Sequence, residues 1–408
     1  MSEVSPAVNR SSFRRFLTAA VISSAGSSVT AVAMPILVVQ LLDATPFEVG
    51  MVNAAQLIPY AVLGLFAGVY VDRWRRKPIL VWASVGRAVA LGTVPLLWLA
   101  GLLHIWVLVI VLLLFGSFSV FGFAAMQSLL PRLVPRSQLV KANARLDQAD
   151  AAATTLGPTV GGALVGLLGA PVVIAVDAIS YLADAVLNSG LDVDEPRPAS
   201  RSRNLMNEVR EGLRFTYRHR TLNPLAISTH VWFLANGAVL TVLSLFALRS
   251  LGFSAYTYGL LLTTFGVASL LGASSAHAIG TRIGPGRTVI LTRSLYPLTW
   301  LLVTVATDTI VGHLLLFAAL GLQGLAAGAE NANEMGYWQA LTPDELLGRV
   351  NAARRSVNRT MAALGAVTAG LLVGAIGERP TLIGVTIVFA IAAGTLAFSP
   401  LRHSARDL

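Results

Sequence analysis

The chain has 408 residues, of which 55% are hydrophobic and only 12% charged, with a mean hydropathy of +0.70. No single soluble core buries that much apolar side chain, so a polytopic membrane protein is predicted, and at roughly 20 apolar residues per spanning helix the chain holds about twelve. The formal charge of +10 does not indicate nucleic acid, because the charges lie between apolar runs and not on a face of a soluble domain; the absence of cysteine excludes disulfides, thiolate metal sites and redox thiols.

In chain order, apolar runs fall at 16–42, 47–71, 78–100, 105–128, 143–168 and 171–191, then at 222–250, 255–280, 287–307, 310–338, 351–376 and 380–400. Arg10, Arg14 and Arg15 precede the first run. It is too long for a signal-peptide core and lacks a cleavage-site pattern, so it is predicted to be the first spanning helix. Of the 30 Lys and Arg, 25 fall in the N-terminal tail, in alternate connections and at the C-terminus; Arg249 and Arg379 lie in the opposite connections, and Arg87, Arg293 and Arg359 inside runs. The positive-inside rule then puts both termini in the cytoplasm of a multi-pass protein of the cell (inner) membrane.

Between the second and third runs stands Gly68-Val-Tyr-Val-Asp72-Arg73-Trp-Arg75-Arg76-Lys77-Pro78, predicted to be a short basic hairpin joining two spanning helices. Topogenic charge accounts for its Arg and Lys equally well, but not for Asp72. An acid at that helix end is expected to latch the cytoplasmic side when it closes, by meeting the start of the eleventh helix and Arg354 or Arg355.

The longest polar segment, 192–221, divides the runs six and six, so the expected units are 1–191, 192–221 and 222–408. It opens Pro196-Arg-Pro198 and continues with Met206, Val209, Leu213 and Tyr217 at helical spacing, the pattern of an amphipathic helix on the cytoplasmic face, acting as a tether between halves or touching phospholipid. The halves repeat. Shifting 133–169 by 208 residues without a gap gives twelve identities over 37 positions, four of them Gly, which indicates duplication of a six-helix unit. A shift of 209 lays Gly50 on Gly259 and Arg73 on Arg282, but Asp72 on Thr281 and Gly68 on His277, so the second copy of the hairpin has decayed.

Ionisable groups inside a bilayer cost on the order of 2.5–3.5 kcal/mol at a helix centre, which makes each a functional candidate. Asp177 stands near mid-membrane in the sixth run with no cation nearby in sequence; low dielectric disfavours a charged carboxylate, which suits proton exchange. Asp184 lies further toward the cytoplasm on the same helix, and Arg87 of the third run has an acid of the sixth or the headgroups as its expected partner. The tenth run carries Glu330 and Glu334, the eleventh Arg359. Glu330 and Arg359 both lie roughly 12 Å inward at 1.5 Å per residue, so an ion pair between them is expected, either locking two helices or taking part in transport. Asn53, Gln56 and Asn236, with His230 and His277, are expected to line a pore or bridge helices. There is no G-x-x-x-x-G-K-S/T loop and no His/Cys cluster, so neither metal nor cofactor is expected, nor an enzyme, and active transport would draw on an ion gradient.

Three stretches carry a family resemblance. The hairpin resembles G-x-x-x-D-R-x-G-R-R, the loop between helices 2 and 3 of the major facilitator superfamily, with Gly68, Asp72, Arg73, Arg76 and Lys77 on the pattern and Arg75 in place of the inner Gly. Gly157-Pro158-Thr-Val-Gly161-Gly162 resembles the helix 5 signature of the drug-proton antiporter branches, where proline removes a backbone hydrogen bond and small residues let helices pack closely. Leu130-Pro-Arg-Leu-Val-Pro-Arg, followed by Leu-Val-Lys-Ala-Asn143-Ala, resembles the macrolide-efflux and enterobactin-exporter branch. Phe118 stands where many such antiporters carry an arginine in helix 4, so proton coupling through that arginine is excluded.

The resemblance implies an all-α membrane fold, twelve transmembrane helices in two pseudo-symmetric six-helix halves. It also implies proton-driven export of small amphipathic or hydrophobic molecules through a cavity near the midplane, by a monomer among membrane lipids without nucleic acid. Lysophospholipid or siderophore transport, and a membrane sensor or scaffold without transport, stay open as alternatives.

Overall fold

The computed structural model describes residues 10–195 and 205–402. Within them lie thirteen α-helices and no strand: α1 (Arg10–Ile36), α2 (Pro46–Arg73), α3 (Arg76–Leu99), α4 (Ile105–Leu133), α5 (Leu139–Leu168), α6 (Ala170–Ser189), α7 (Leu205–Arg218), α8 (Leu222–Leu245), α9 (Ala255–Ile283), α10 (Pro285–Val305), α11 (Ile310–Leu341), α12 (Asp344–Ile376) and α13 (Glu378–Ala397). Among the described residues eleven helices are long and apolar enough to cross a membrane. The twelfth span is α2, 28 residues long and packed between α4 and α12. With the short α7 set apart, this is the twelve-helix arrangement expected from the apolar runs.

Three helices, α2, α9 and α11, start where a side chain satisfies a first amide group. Thr45 and Glu48 form a capping box before Pro46, and Ser254 and Thr309 accept from the third residue beyond them, each closing an otherwise open N–H. On the side of the termini several helices, among them α1, α4, α5 and α12, run past their apolar stretches. α12 begins at Asp344 and not at 351, because Asp344 and Glu345 complement the positive end of the helix dipole in water.

In the first half α1 packs on α5 and α6, and α3 on α4 and α6; in the second, α8 packs on α12 and α13, and α10 on α11 and α13. The halves meet through α2 against α12 and α5 against α9. Those two seams close tightly on the face opposite the termini: a Cβ at Gly162 would stand 2.4 Å from the Ala255 carbonyl oxygen, and one at Gly370 would stand 2.5 Å from that of Pro46. Toward the termini the halves part around a cavity of about 920 Å³, whose wall runs from Tyr258 and Trp300 down to Phe16, Leu80, Asp150 and Asn188.

α7 docks on the second half. Gly212 lies against the Arg349 backbone, Arg349 bonds Glu211 at 2.5 Å, and the Tyr217 hydroxyl meets His230 of α8 at 2.8 Å. The surroundings of Met206 and Val209 lie outside the described residues.

Candidate functional site

The polar wall of the cavity is built from one stripe of α6. Asp177, Tyr181, Asp184 and Asn188 follow at helical spacing, so all four face α1 and α3. Asp184 is 4% exposed. It accepts a short hydrogen bond from Ser84 and one from Asn188 at 3.0 Å, and the Arg87 guanidinium stands 3.6 Å away. Arg87 in turn donates to Ser84 Oγ at 2.9 Å and lies 4.3 Å over the Tyr181 ring, while the Tyr181 hydroxyl meets Ser27 at 2.7 Å. Arg87 and the sixth-helix acid are thus brought together.

Asp177 is different. It is 1% exposed, the Ser180 hydroxyl contacts its carboxylate at 3.1 Å and its carbonyl at 2.8 Å, and among the described residues it has no ion-pair partner. α1 leaves room for it with Gly26, where a Cβ would stand 2.5 Å from Asp177 Oδ1. Burial among hydroxyls without an ion pair sets it apart from Asp184, Glu330 and Glu334.

In the second half the expected pairing is corrected. Glu330 bonds Arg293 of α10 and not Arg359. Arg293, 1% exposed, also donates to Glu334 at 2.8 Å and to Ser228 at 3.0 Å; Glu334 further accepts from Thr229 at 2.9 Å and lies 3.5 Å from Arg354. Arg359 instead lies 5.3 Å over the Tyr60 ring of α2. Matched depth on α11 and α12 does not fix the direction in which a side chain leaves its helix, and Glu330 leaves toward α10. Two carboxylates facing two arginines make this a balanced, buried network. Breaking it by removing one partner leaves an uncompensated charge.

Asn53, Gln56 and Asn236 line the cavity, and Asn53 of α2 also reaches Thr241 of α8 at 3.2 Å across the seam. The facing wall from the second half is aromatic: Trp232, Tyr258, Phe265, Tyr296 and Trp300. The helix 5 motif packs α5 against two neighbours. A Cβ at Gly157 would stand 1.9 Å from Ser28 Oγ, and one at Gly161 would stand 2.8 Å from the Val29 Cα, both on α1; Gly162 and the Pro158 carbonyl face α9. In the hairpin the surroundings of Gly68 and Asp72 lie outside the described residues. Arg73 is exposed and Arg76 buried, and Lys77 Nζ donates to the Leu191 carbonyl at 2.6 Å. Arg355 lies 5.7 Å over the Phe123 ring.

Arg293, Tyr60, Tyr181 and the aromatic wall were not singled out from the sequence. Arg293 was the discoverable one, as a lone cation inside an apolar run; Tyr181 carried a second signal, its place on the stripe between two aspartates.

A family model for transmembrane secretion effectors matches residues 1–407. The chain is 27% identical to the multidrug efflux pump Tap of Mycobacterium tuberculosis over 227 residues, 54% of each chain, so the match spans about half the length of that relative. It is 22% identical to macrolide efflux protein A of Streptococcus pyogenes over 84% of this chain and 85% of that one. Among solved structures, the nucleoside transporter NupG superposes with a TM-score of 0.76 at 10% identity, covering 94% of this chain and 98% of the other, a likeness of fold.

Proposed function

This chain belongs to the transmembrane secretion effector family, within the major facilitator superfamily of transporters, and on that premise we propose that it exports small amphipathic or hydrophobic molecules by proton antiport and alternating access. The observation that carries the reading is the cavity between the halves: polar on the α3 and α6 side, aromatic on the α8, α9 and α10 side, open toward the termini and sealed opposite. A two-sided wall of that kind suits a molecule with a polar group and an apolar body. The surplus of Lys and Arg on the terminal side supports a cytoplasmic mouth, so substrate loads from within. The efflux relatives support the direction of transport. The division into 1–191, 192–221 and 222–408 belongs to the same reading, with the halves rocking about the cavity.

Asp177 is the proposed proton carrier, because Asp184, Glu330 and Glu334 are each ion-paired with an arginine and Asp177 is in no ion pair among the described residues. Protonation of this carboxylate alternates with substrate occupancy of the adjoining cavity. The test is Asp177→Asn in proteoliposomes, which fixes the neutral form. Substrate flux driven by a pH gradient is expected to fall at least about 100-fold, the scale of losing a required proton-transfer group. Binding survives and loses its pH dependence between about pH 5.5 and 8.5, because the amide carries no titrating proton. Undiminished flux in the variant would move the role elsewhere. Lysophospholipids and siderophores belong in the substrate panel beside macrolides, since uptake of only one class would name the cargo.

A further inference from the structure

The face opposite the termini is closed by one arrangement made twice. α1 and α8 each end in a π turn, Leu37–Leu41 and Phe246–Ser250, which coincide under a shift of 209 residues. The chain then reverses identically in both places: the Leu42 amide donates to the Leu37 carbonyl and the Ala44 amide to that of Val38, as Leu251 does to Phe246 and Phe253 to Ala247. Each reversal needs a positive φ, met by Asp43 at 44° and by Gly252 at 61°, and Thr45 and Ser254 cap the helices that follow.

The two loops grip one another across the pseudo-two-fold axis. Gln40 donates to the Phe253 carbonyl at 3.4 Å. Arg249, which takes the place of Gln40 in the second copy, donates to the Ala44 carbonyl at 2.7 Å, and Ala44 corresponds to Phe253. Beneath the loops the seams repeat as well: a Cβ at Gly50 would meet the Ala366 carbonyl at 2.6 Å, and one at Gly259 would meet that of Pro158 at 2.1 Å, again the same contact under shifts of 208 and 209. The backbone shape of the seal is therefore symmetric.

Its chemistry is not. Gln40 makes one long, neutral hydrogen bond. The Arg249 guanidinium bonds the Ala44 carbonyl, reaches the Val39 carbonyl at 3.4 Å and meets Asp43 Oδ1 at 3.0 Å, whereas Gly252 stands where the other loop has Asp43. Asp43 is 93% exposed, so its carboxylate adds little through water; the charge-assisted bonds to backbone carbonyls are the stronger part. We propose that Arg249 is the outer latch of this transporter: it holds the α1–α2 turn against the end of α8 in the state described, and releasing that grip separates the halves on this face. Gln40 is the weak copy. The proposal does not depend on which substrate is carried or on proton coupling.

Spin labels at Leu102→Cys and Ile310→Cys, two exposed positions on this face in opposite halves, report opening by pulsed electron spin distance measurement on the full, otherwise cysteine-free chain in nanodiscs. Arg249→Gln converts the strong site into its weak copy while keeping donors. It is expected to raise the ratio of separated to closed molecules about tenfold, the factor carried by one charge-assisted hydrogen bond at partial exposure. Adding Gln40→Arg rebuilds a charged grip on the Phe253 carbonyl and returns the ratio toward wild type. Asp43→Asn, which tolerates positive φ, changes it less than about threefold. If Arg249→Gln does not fold, Arg249→Lys, which keeps the charge and loses the guanidinium fork, carries the test with an expected shift of about threefold. A wild-type distance distribution in the folded Arg249 variant overturns the proposal, as does an open population that Gln40→Arg leaves undiminished.

Discussion

At the scale of single residues, the second half is held by Arg293. It has no water to fall back on at 1% exposure, and both Glu330 and Glu334 depend on it. Arg293→Gln is expected to lower stability by about 3–5 kcal/mol, the range for stripping one partner from a buried pair, measured by thermal or denaturant unfolding in detergent. Adding Glu330→Gln returns part of that loss, because one stranded charge goes with it. Glu330→Gln and Arg359→Gln, by contrast, are expected to add to within about 0.5 kcal/mol, since Arg359 sits over Tyr60. The residue types were legible in the sequence, as acids and arginines inside apolar runs. Their pairing was not, because depth along a helix is countable and the angle around it depends on which neighbour the helix has.

At the scale of elements, close helix seams set where side chains are permitted. α11 carries a contrast within itself: a Cβ at Gly328 would stand 1.9 Å from the Ser269 carbonyl of α9, whereas Gly336 has open space around it. Gly328→Ala is expected to destabilise by about 1–3 kcal/mol through overpacking. Gly336→Ala gains up to about 1 kcal/mol of helix propensity, and unfolding midpoints of the two variants should move in opposite directions. The helix 5 motif was recognisable as a packing motif, and Gly157, Gly161 and Gly162 do lie against α1 and α9. That α7 docks on α12 through Arg349 and Glu211 was not legible, because amphipathicity marks a face to be covered without saying what covers it.

At the scale of the whole molecule, the cavity is reachable from one side only. Met126, on the cavity wall, gives a reporter as Met126→Cys in this chain without cysteine. A membrane-impermeant thiol reagent is expected to label it from the terminal side at least about tenfold faster than from the other, the ratio of a protein favouring this state by some 1.4 kcal/mol. Equal rates from both faces would show that the seal is not the resting arrangement.

Composition, run length and the alternation of charge along the chain determined the membrane class and the twelve spans, because a helix must bury its backbone polar groups within itself in lipid and only its length and apolarity decide whether it spans. Residue identities under a 208-residue shift determined the internal repeat. The hairpin and helix 5 motifs placed the chain among the major facilitators. Three features were decided by tertiary structure alone: Glu330 meeting Arg293, the aromatic wall facing Asp177, and the reciprocal grip of Gln40 and Arg249. Each joins residues far apart in the chain through the azimuth and tilt of packed helices, and a one-dimensional pattern records the period of a helix but not the neighbour toward which it turns.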